Sequence, residues 1–255
     1  MPEGPSYTAY DDFAWFYERY WSEPFAADVR PILQDTLLPF VPPGGHILDL
    51  CCGVGHSSHW LTACGFRVTG VDGSNEMIQL ARRNAPRAAF VVADARACAR
   101  PDSYDAAICT FDSLNHLLTE SDLQQVLRNV QQSLGREGLF FFDVNHETGF
   151  LAASPDSYSI VKDDHVCVIE SLFDPSSRVA CSDVTMFRRE NGLWRRRDVE
   201  IREYCFSEKQ IRGALSGAGY NQVIALDACR DLGMTNGTGR MFYLAAKSDR
   251  PRLRP

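Results

Sequence analysis

The sequence lacks the features that mark several protein classes. Its apolar runs reach only four to six residues, whereas a membrane-spanning helix needs about 20. Residues 1–5 have neither the basic start nor the apolar core of a signal peptide. Basic residues are not in excess, because the formal net charge is -7, and general nucleic-acid binding normally takes a basic protein. We therefore expect a cytoplasmic protein with neither membrane nor nucleic acid as a partner.

The sequence also lacks paired-cysteine motifs. Its nine cysteines are scattered, and none forms a C-x-x-C pair. Without a secretory signal, such cysteines are typical of reduced thiols that pack as small apolar side chains. Two histidines one helical turn apart, His56 and His59, have no carboxylate or thiol at ligand spacing in the same predicted helix. We therefore predict no metal site.

What the sequence does contain is a regular alternation of strand and helix patterns. Apolar strand-like runs occur at residues 46–50, 67–71, 89–93, 104–110 and 138–144. Helical patterns occur between them, at residues 56–63, 74–83, 114–118 and 120–134. This alternation predicts an α/β fold, a Rossmann-like doubly wound sheet.

The flanking segments follow different patterns. Residues 1–40 carry aromatic side chains three and four positions apart, which predicts helices whose lengths are limited by Pro24, Pro31 and Pro39. Residues 166–173, 178–188 and 194–206 form three strand-like runs with turn residues between them, which predicts an antiparallel β-meander. A helix at residues 207–218 precedes two strands, 223–226 and 241–246, with no helix between them.

These patterns predict three units. Residues 1–40 form an N-terminal helical lid, residues 41–146 and 207–248 form the Rossmann-like core, and residues 147–206 form an antiparallel β insertion. The core sheet has seven strands, and its last strand is antiparallel because its last two strands are joined directly.

Three acidic residues lie at the carboxyl ends of successive predicted strands. Asp49 precedes the glycine turn of Gly53 and Gly55, Asp72 ends the second strand, and Asp94 follows the third. Glycines at a strand-to-helix turn let a ligand approach the backbone closely, and an acid about 20 residues later can hold both hydroxyls of a ribose. The carboxyl ends of parallel strands meet at one edge of a sheet, so we expect these residues to form one binding site.

The ensemble resembles the class I S-adenosylmethionine-dependent methyltransferases. The resemblance rests on LDLCCGVG at residues 48–55, GVDGSNEM at 70–77 and LGREGLF at 134–140. The segment YDAAICTFDSLNHLL at residues 104–118, together with the meander, is similar to a small-molecule subgroup that includes sugar N-methyltransferases. The resemblance implies that S-adenosyl-L-methionine is the cofactor and that the enzyme methylates a nitrogen or oxygen atom of a small molecule.

The resemblance also implies a role for each residue of the cofactor site. Cys51, Gly53 and Gly55 would line the methionyl part, and Asp49 would face the amino group directly or through water. Asp72 would bind the ribose hydroxyls. The residues expected around the adenine and over the cofactor are Gly73, Met77, Asp94, Ala95 and Phe111.

The acceptor side is less sharply defined by the sequence. His116 and His146 follow the fourth and fifth strands, where they could act as general bases or lie at the surface. Asn115 and Asn145 are candidates for substrate contacts. Tyr10, Tyr17 and Trp21 either line the methyl-transfer chamber or belong to the core-facing stripe of the N-terminal helices.

Three alternative functions remain open at this point. A nucleic-acid or protein methyltransferase would share the cofactor motifs, although the segment after the fourth strand, TFDSLN at residues 110–115, differs from an N-P-P-Y type motif. A nicotinamide-dependent oxidoreductase would also use Asp72. A non-catalytic binding module of the same fold is the third alternative. The sequence leaves open whether the protein is a monomer or a homodimer.

Overall fold

The computed structural model describes residues 8–248. Its eleven strands are β1 (His46–Leu50), β2 (Arg67–Asp72), β3 (Ala89–Val92), β4 (Tyr104–Cys109), β5 (Leu134–Asn145), β6 (Asp156–Val161), β7 (His165–Asp174), β8 (Val179–Glu190), β9 (Leu193–Tyr204), β10 (Gln222–Asp227) and β11 (Arg240–Ala246). Its α-helices are α1 (Thr8–Tyr17), α2 (Glu23–Thr36), α3 (His56–Ala63), α4 (Asn75–Asn84), α5 (Glu120–Ser133), α6 (Glu147–Ala152) and α7 (Glu208–Gly217).

The main sheet has the predicted Rossmann-like form. Seven strands follow the order β10-β11-β5-β4-β1-β2-β3. β1 pairs in parallel with β2 and β4, and β11 runs antiparallel to both β5 and β10. The predicted seven-stranded sheet with an antiparallel last strand is therefore confirmed.

Both faces of this sheet are buried, as a continuous apolar central strand requires. In β5, Phe140 and Phe142 pack on one side with the apolar stripe of α5, and Phe141 packs on the other side with α2. All three rings are fully buried. The carboxyl ends of the parallel strands are thereby held at a fixed edge, where the predicted site residues lie.

Capping side chains fix the starts of two helices. Ser74 accepts a hydrogen bond from the Met77 N–H at the start of α4, and Ser207 forms a capping box with Gln210 at the start of α7.

Two elements differ from the prediction. The predicted helix at residues 114–118 is instead a 3₁₀ turn, Ser113–His116. β5 begins at Leu134, four residues before the predicted start, because a register irregularity lets Leu134 pair with Tyr104 ahead of residues 135–138.

The N-terminal segment forms one long helical stretch. α1 passes through a π-helical turn, Glu18–Ser22, directly into α2. The prediction that prolines limit these helices was wrong at two positions. Pro24 follows the π-helical turn at the start of α2, and Pro31 lies inside α2, yet the helical stretch continues through both positions. Residues 1–7 of the predicted lid lie outside the described residues.

A second, antiparallel sheet follows β5 in the chain. Its order is β6-β7-β8-β9, which confirms the predicted meander and adds one edge strand to it. The predicted insertion at residues 147–206 also contains the short helix α6 at its start. Phe13 and Phe16 of α1 pack on this sheet with Cys167, Ile169 and Val184. Within residues 8–248, no helix has the length and apolarity that crossing a membrane would take.

Candidate functional site

A cavity of about 460 Å³ lies between the carboxyl ends of the core strands, the N-terminal helices and the second sheet. Most of the predicted site residues line it: Tyr10, Tyr17, Trp21, Cys51, Gly53, Asp72, Gly73, Met77, Asp94, Ala95, Phe111 and His116. The fold therefore brings the predicted cofactor residues and part of the predicted acceptor residues to one space.

The turn after β1 has a backbone that suits glycine. Gly53 and Gly55 have φ angles of 51° and 82°, in the left-handed region. A Cβ at Gly53 would lie 3.2 Å from Cε1 of Tyr17, so the absent side chain lets that ring cover the turn. Gly55 does not line the cavity, because it packs against Ala81 of α4, 3.0 Å from where its Cβ would be.

Asp72 links this turn to the next helix. Its Oδ2 accepts the Gly53 N–H at 2.9 Å, and its Oδ1 accepts the Ser74 N–H at 2.9 Å. An ionised carboxylate can accept about four hydrogen bonds, so acceptor capacity remains toward the cavity. Burial raises the pKa of Asp72. A carboxylate held by two backbone donors at the cavity wall fits the two hydroxyls of a ribose.

Asp49 lies behind the cavity wall. Its side chain is 2% exposed, and its Oδ2 accepts a hydrogen bond from Ser58 Oγ at 2.6 Å. It is not among the residues that line the cavity. Burial raises the pKa of Asp49 to about 7. The carboxyl group therefore lies beneath the glycine turn, and this position favours the predicted contact through water over a direct one.

The pKa of Asp49 predicts a pH-dependent stability difference. The folded protein keeps a proton on Asp49 up to about pH 7, whereas the unfolded chain releases it near pH 4. Stability from this group is present at low pH and is lost as pH rises through this window, by about 1.4 kcal/mol per pH unit. Urea unfolding of the native protein and Asp49→Asn at pH 5, 6 and 7 should show their free-energy difference changing by about this slope. Parallel pH profiles would contradict it.

Asp94 lines the cavity but is shared with a neighbouring cation. Arg96 contacts both of its carboxylate oxygens, with Nη2 at 2.6 Å from Oδ2, and also lies 3.2 Å from Asp122. Asp94 Oδ1 also accepts the Arg96 N–H at the start of a 3₁₀ turn, Ala95–Ala97. The charge of Asp94 is therefore compensated, and an adenine amino group would have to share this carboxylate with Arg96.

At the other end of the cavity, Tyr10 and His116 form a hydrogen-bonded pair. His116 Nδ1 lies 3.1 Å from the carbonyl oxygen of Arg202, and this oxygen can only accept, so Nδ1 carries the proton. His116 Nε2 is then an acceptor for the Tyr10 hydroxyl at 2.8 Å. Burial lowers the pKa of His116 and raises that of Tyr10. A neutral imidazole behind a phenol can take up a proton that arrives at the phenol.

Three predicted acceptor-side residues do not line the cavity. His146 lies between the Phe206 carbonyl at 2.8 Å and the Tyr243 hydroxyl at 2.9 Å. Asn115 is fully buried, and its amide group donates to backbone carbonyls and accepts the Asn145 N–H. The side chains of His146 and Asn115 therefore hold the ends of β5 and β9, and the Asn145 side chain donates to Asp112. This corrects their predicted placement at the cavity wall.

Sequence reasoning missed a buried charged cluster at the same edge. Asp143 is fully buried and accepts the N–H groups of Phe111 and Asp112 at 2.8 and 3.0 Å. Both of these residues have left-handed φ angles, 65° and 48°. Arg240 contacts Asp143 and lies 3.4 Å from Asp112. One signal in the sequence could have revealed the cluster, because Asp143 is the single charged residue of the apolar run at residues 138–144.

Phe111 is held by this cluster in a ring stack. Its ring stacks on Phe25 at 4.2 Å and lies 5.6 Å from Tyr17. The guanidinium of Arg240 lies over Phe25 at 4.8 Å. The cluster thus fixes the aromatic side of the cavity next to the glycine turn.

Outside the cavity, one set of side chains could hold a metal ion. The ligand atoms of Cys181, Asp183 and Glu200 lie within 4.8 Å of one another on the second sheet. Glu200 is already paired with Arg202 at 2.6 Å. None of these three residues lines the cavity, and we assign no function to them.

The comparisons with known proteins agree with this geometry. A family model described as a methyltransferase domain matches residues 47–138. A putative methyltransferase, YqeM of Bacillus subtilis, is 29% identical over 213 residues, covering 82% of this chain and 86% of the relative. The chain is therefore similar to methyltransferases over most of its length.

Solved structures of methyltransferases share this fold. A methyltransferase from Clostridium acetobutylicum has a TM-score of 0.75 at 22% identity, covering 93% of this chain and 98% of that one. CalS10, an amino pentose methyltransferase of Micromonospora echinaspora solved with S-adenosylmethionine bound, has a TM-score of 0.69 at 19% identity, covering 97% and 100%. The cofactor that the sequence motifs imply, S-adenosylmethionine, is thus bound by a protein of this fold.

The cavity wall suits this cofactor, and Asp72 provides the test. We expect Asp72→Ala to weaken binding of S-adenosylhomocysteine by about 1.5–3 kcal/mol, because hydrogen bonds to a charged group are worth that much. Calorimetry would measure the affinity. Asp163→Ala, in an exposed turn, is the matched control and should bind as the native protein does. An unchanged affinity in Asp72→Ala would place the ribose elsewhere.

Proposed function

We propose that this enzyme transfers a methyl group to a nitrogen or oxygen atom of a small molecule enclosed in the cavity. The observation that supports this most strongly is that one cavity of about 460 Å³ joins Gly53 and Asp72 to the Tyr10–His116 pair. Its volume is within the range of about 300–1,000 Å³ typical of small-molecule sites. S-adenosylmethionine supplies an activated methyl group on its sulfonium sulfur.

The residues of the chain would act by alignment, proton uptake and exclusion of water. The predicted cofactor residues at the glycine turn and Asp72 would hold the adenosyl end. Tyr10 would take the proton released by the acceptor, and His116 Nε2 would draw it onward. The rings of Tyr17, Phe25 and Phe111 would keep water from this part of the cavity.

We also propose that residues 1–40 act as a lid over the core. α1 is tied to the N-terminus of α4, where Asp11 accepts hydrogen bonds from Ser74 Oγ and the Glu76 N–H. It is tied to the second sheet through Asp12 and Arg197, 3.2 Å apart. These polar contacts can break and re-form, so they suit a segment that must open for ligand exchange.

A small acceptor is favoured over a nucleic acid by the distribution of charge. The arginine-rich hairpin of β8 and β9 pairs its guanidinium groups with acids: Arg188 and Arg195 with Glu190, and Arg196 with Asp198. A phosphate backbone would have to displace these pairs. The solved relatives named above include one that acts on an amino pentose, which supports a small acceptor here. The match of residues 47–138 to a methyltransferase domain favours methyl transfer over the alternative of a nicotinamide-dependent oxidoreductase.

The test is methyl transfer from radiolabelled S-adenosylmethionine to separate panels of small amines, alcohols, protein and nucleic acid. We expect label in at least one small molecule and none in the macromolecules. Asp72→Ala should lower that signal at subsaturating cofactor. Transfer to protein or nucleic acid with none to small molecules would overturn the proposal.

A further inference from the structure

The acceptor end of the cavity contains a carboxyl oxygen without a hydrogen-bond partner among the described residues. Along β9, Val199, Ile201 and Glu203 are partly buried, while Glu200 and Arg202 are exposed. Glu203 thus faces inward and lines the cavity. Its Oε1 is buried and has no hydrogen-bond donor among the described residues. Buried polar atoms are nearly always paired, so this oxygen indicates a donor that the bound ligand would bring.

The charges around Glu203 favour a cationic ligand. Asp112 is beside it and also lines the cavity. Arg240 is the counter-charge of Asp112 and is already shared with Asp143. Three carboxyl groups therefore share one guanidinium. Burial and the neighbouring Asp112, to which Glu203 is hydrogen-bonded, raise the pKa of Glu203 well above its usual value. A cation beside Glu203 would favour its ionised form.

The rest of the wall is unfavourable for an anion. The basic side chains that line the cavity are Arg96 and His116. Arg96 is engaged with two carboxylates, and His116 presents an acceptor nitrogen to Tyr10. The aromatic rings of Phe13 and Trp21, 5.1 Å apart, add apolar surface and π faces that attract cations.

We propose that Glu203 determines acceptor specificity, with its Oε1 accepting a hydrogen bond from an amine or ammonium group of the acceptor. With Asp112 it selects an amine with an uncharged, largely apolar body and rejects acceptors that carry a carboxylate or phosphate. This inference rests on the proposed function and deepens it, because it names the chemical class of the acceptor and a residue that the sequence did not point to.

The experiment compares three probes of similar shape on the enzyme loaded with S-adenosylhomocysteine. The probes are 2-phenylethylamine, 2-phenylethanol and 3-phenylpropionate, and calorimetry measures their affinities. We expect the amine to bind roughly tenfold or more tightly than the alcohol, as a charge-assisted hydrogen bond would provide, and the carboxylate to bind least. Glu203→Gln should remove the preference for the amine while changing alcohol affinity less than about twofold.

Two variants control for indirect effects. Glu200→Gln, on the exposed face of the same strand, should keep the full preference. Glu203→Asp keeps the charge but retracts it, and it should retain part of the preference if Glu203→Gln folds poorly. Unchanged S-adenosylhomocysteine affinity would show that each variant is folded.

The outcomes separate the two proposals. The assignment of Glu203 would be overturned if the three probes bound equally or if the carboxylate bound most tightly. It would also be overturned if the amine did not bind to the loaded enzyme, or if the preference for the amine survived in Glu203→Gln. Because this readout needs no turnover, it is independent of the methyl-transfer panel. An amine preference together with transfer only to macromolecules would overturn the proposed function and leave the Glu203 contact standing.

Discussion

Replacing Arg240 by leucine is expected to lower the free energy of unfolding by about 3–5 kcal/mol, because the change removes one partner of a buried ion pair. Asp143 is fully buried, and the Arg240 side chain is 11% exposed. Burial raises the pKa of Asp143 to about 6 even with Arg240 in contact. Without the guanidinium, Asp143 and Asp112 would face each other with no cation between them. Urea unfolding at pH 8 would measure the loss.

The pH dependence of this variant follows from the same residues. Without Arg240 the folded-state pKa of Asp143 rises further, so the destabilisation is full at high pH and shrinks as protonation of Asp143 removes its charge. The deficit at pH 5 should therefore be smaller than at pH 8. The double variant Arg240→Leu with Asp143→Asn should recover part of the loss, since both charges are gone.

A surface pair serves as the control for Arg240. Arg230 contacts Asp231 at 2.8 Å, but its side chain is 73% exposed, and exposed ion pairs contribute about 0–1 kcal/mol. Arg230→Leu should therefore leave stability nearly unchanged. If Arg240→Leu costs no more than Arg230→Leu, the buried cluster does not contribute as we infer.

The cofactor half of the site was predictable because its signals are local in the sequence. Gly53 and Asp72 lie at the ends of consecutive strands, and parallel strands bring such ends together at one edge. The hydrogen bond from the Gly53 N–H to Asp72 is the direct consequence of that geometry. Their cofactor roles stay predictions until the Asp72 variant has been measured.

The acceptor half depended on contacts between distant segments. Arg240 reaches Asp143 because β11 pairs antiparallel with β5, with Arg240 opposite Asn145, and no local pattern gives that register. Glu203 faces the cavity because side chains along β9, a strand of the inserted sheet, point alternately to its two faces. His146 was predicted from its position after β5, but position alone does not tell which side of the sheet a side chain takes.

The unpredicted strand β6 and the aromatic stripe of α1 also depend on where each segment packs. β6 was not predicted because it is an edge strand that is mostly exposed, so it lacks the apolar alternation that marks a strand. The aromatic stripe of α1 was open to two interpretations. The structure shows both, since Phe13 packs on the second sheet and Tyr10 and Tyr17 line the cavity.

For the reaction itself, we expect His116→Asn to lower turnover roughly 10²–10⁴-fold, which is the usual contribution of a general base. The His116 ring accepts the Tyr10 proton at Nε2 because Nδ1 is committed to the Arg202 carbonyl. An asparagine could donate to that carbonyl but has no basic nitrogen to receive a proton. Steady-state assays with labelled S-adenosylmethionine and an acceptor from the panel would measure the change.

Tyr10→Phe distinguishes proton transfer from packing. It keeps the ring in the cavity and removes only the hydroxyl that contacts His116. If the two residues act as one relay, the double variant should be no slower than the slower single variant. S-adenosylhomocysteine affinity should stay near the native value in all three, because neither residue touches the glycine turn or Asp72 in the described hydrogen bonds. Full activity in His116→Asn would remove the relay from the mechanism and favour an acceptor that enters as a neutral amine, for which alignment with the methyl group suffices.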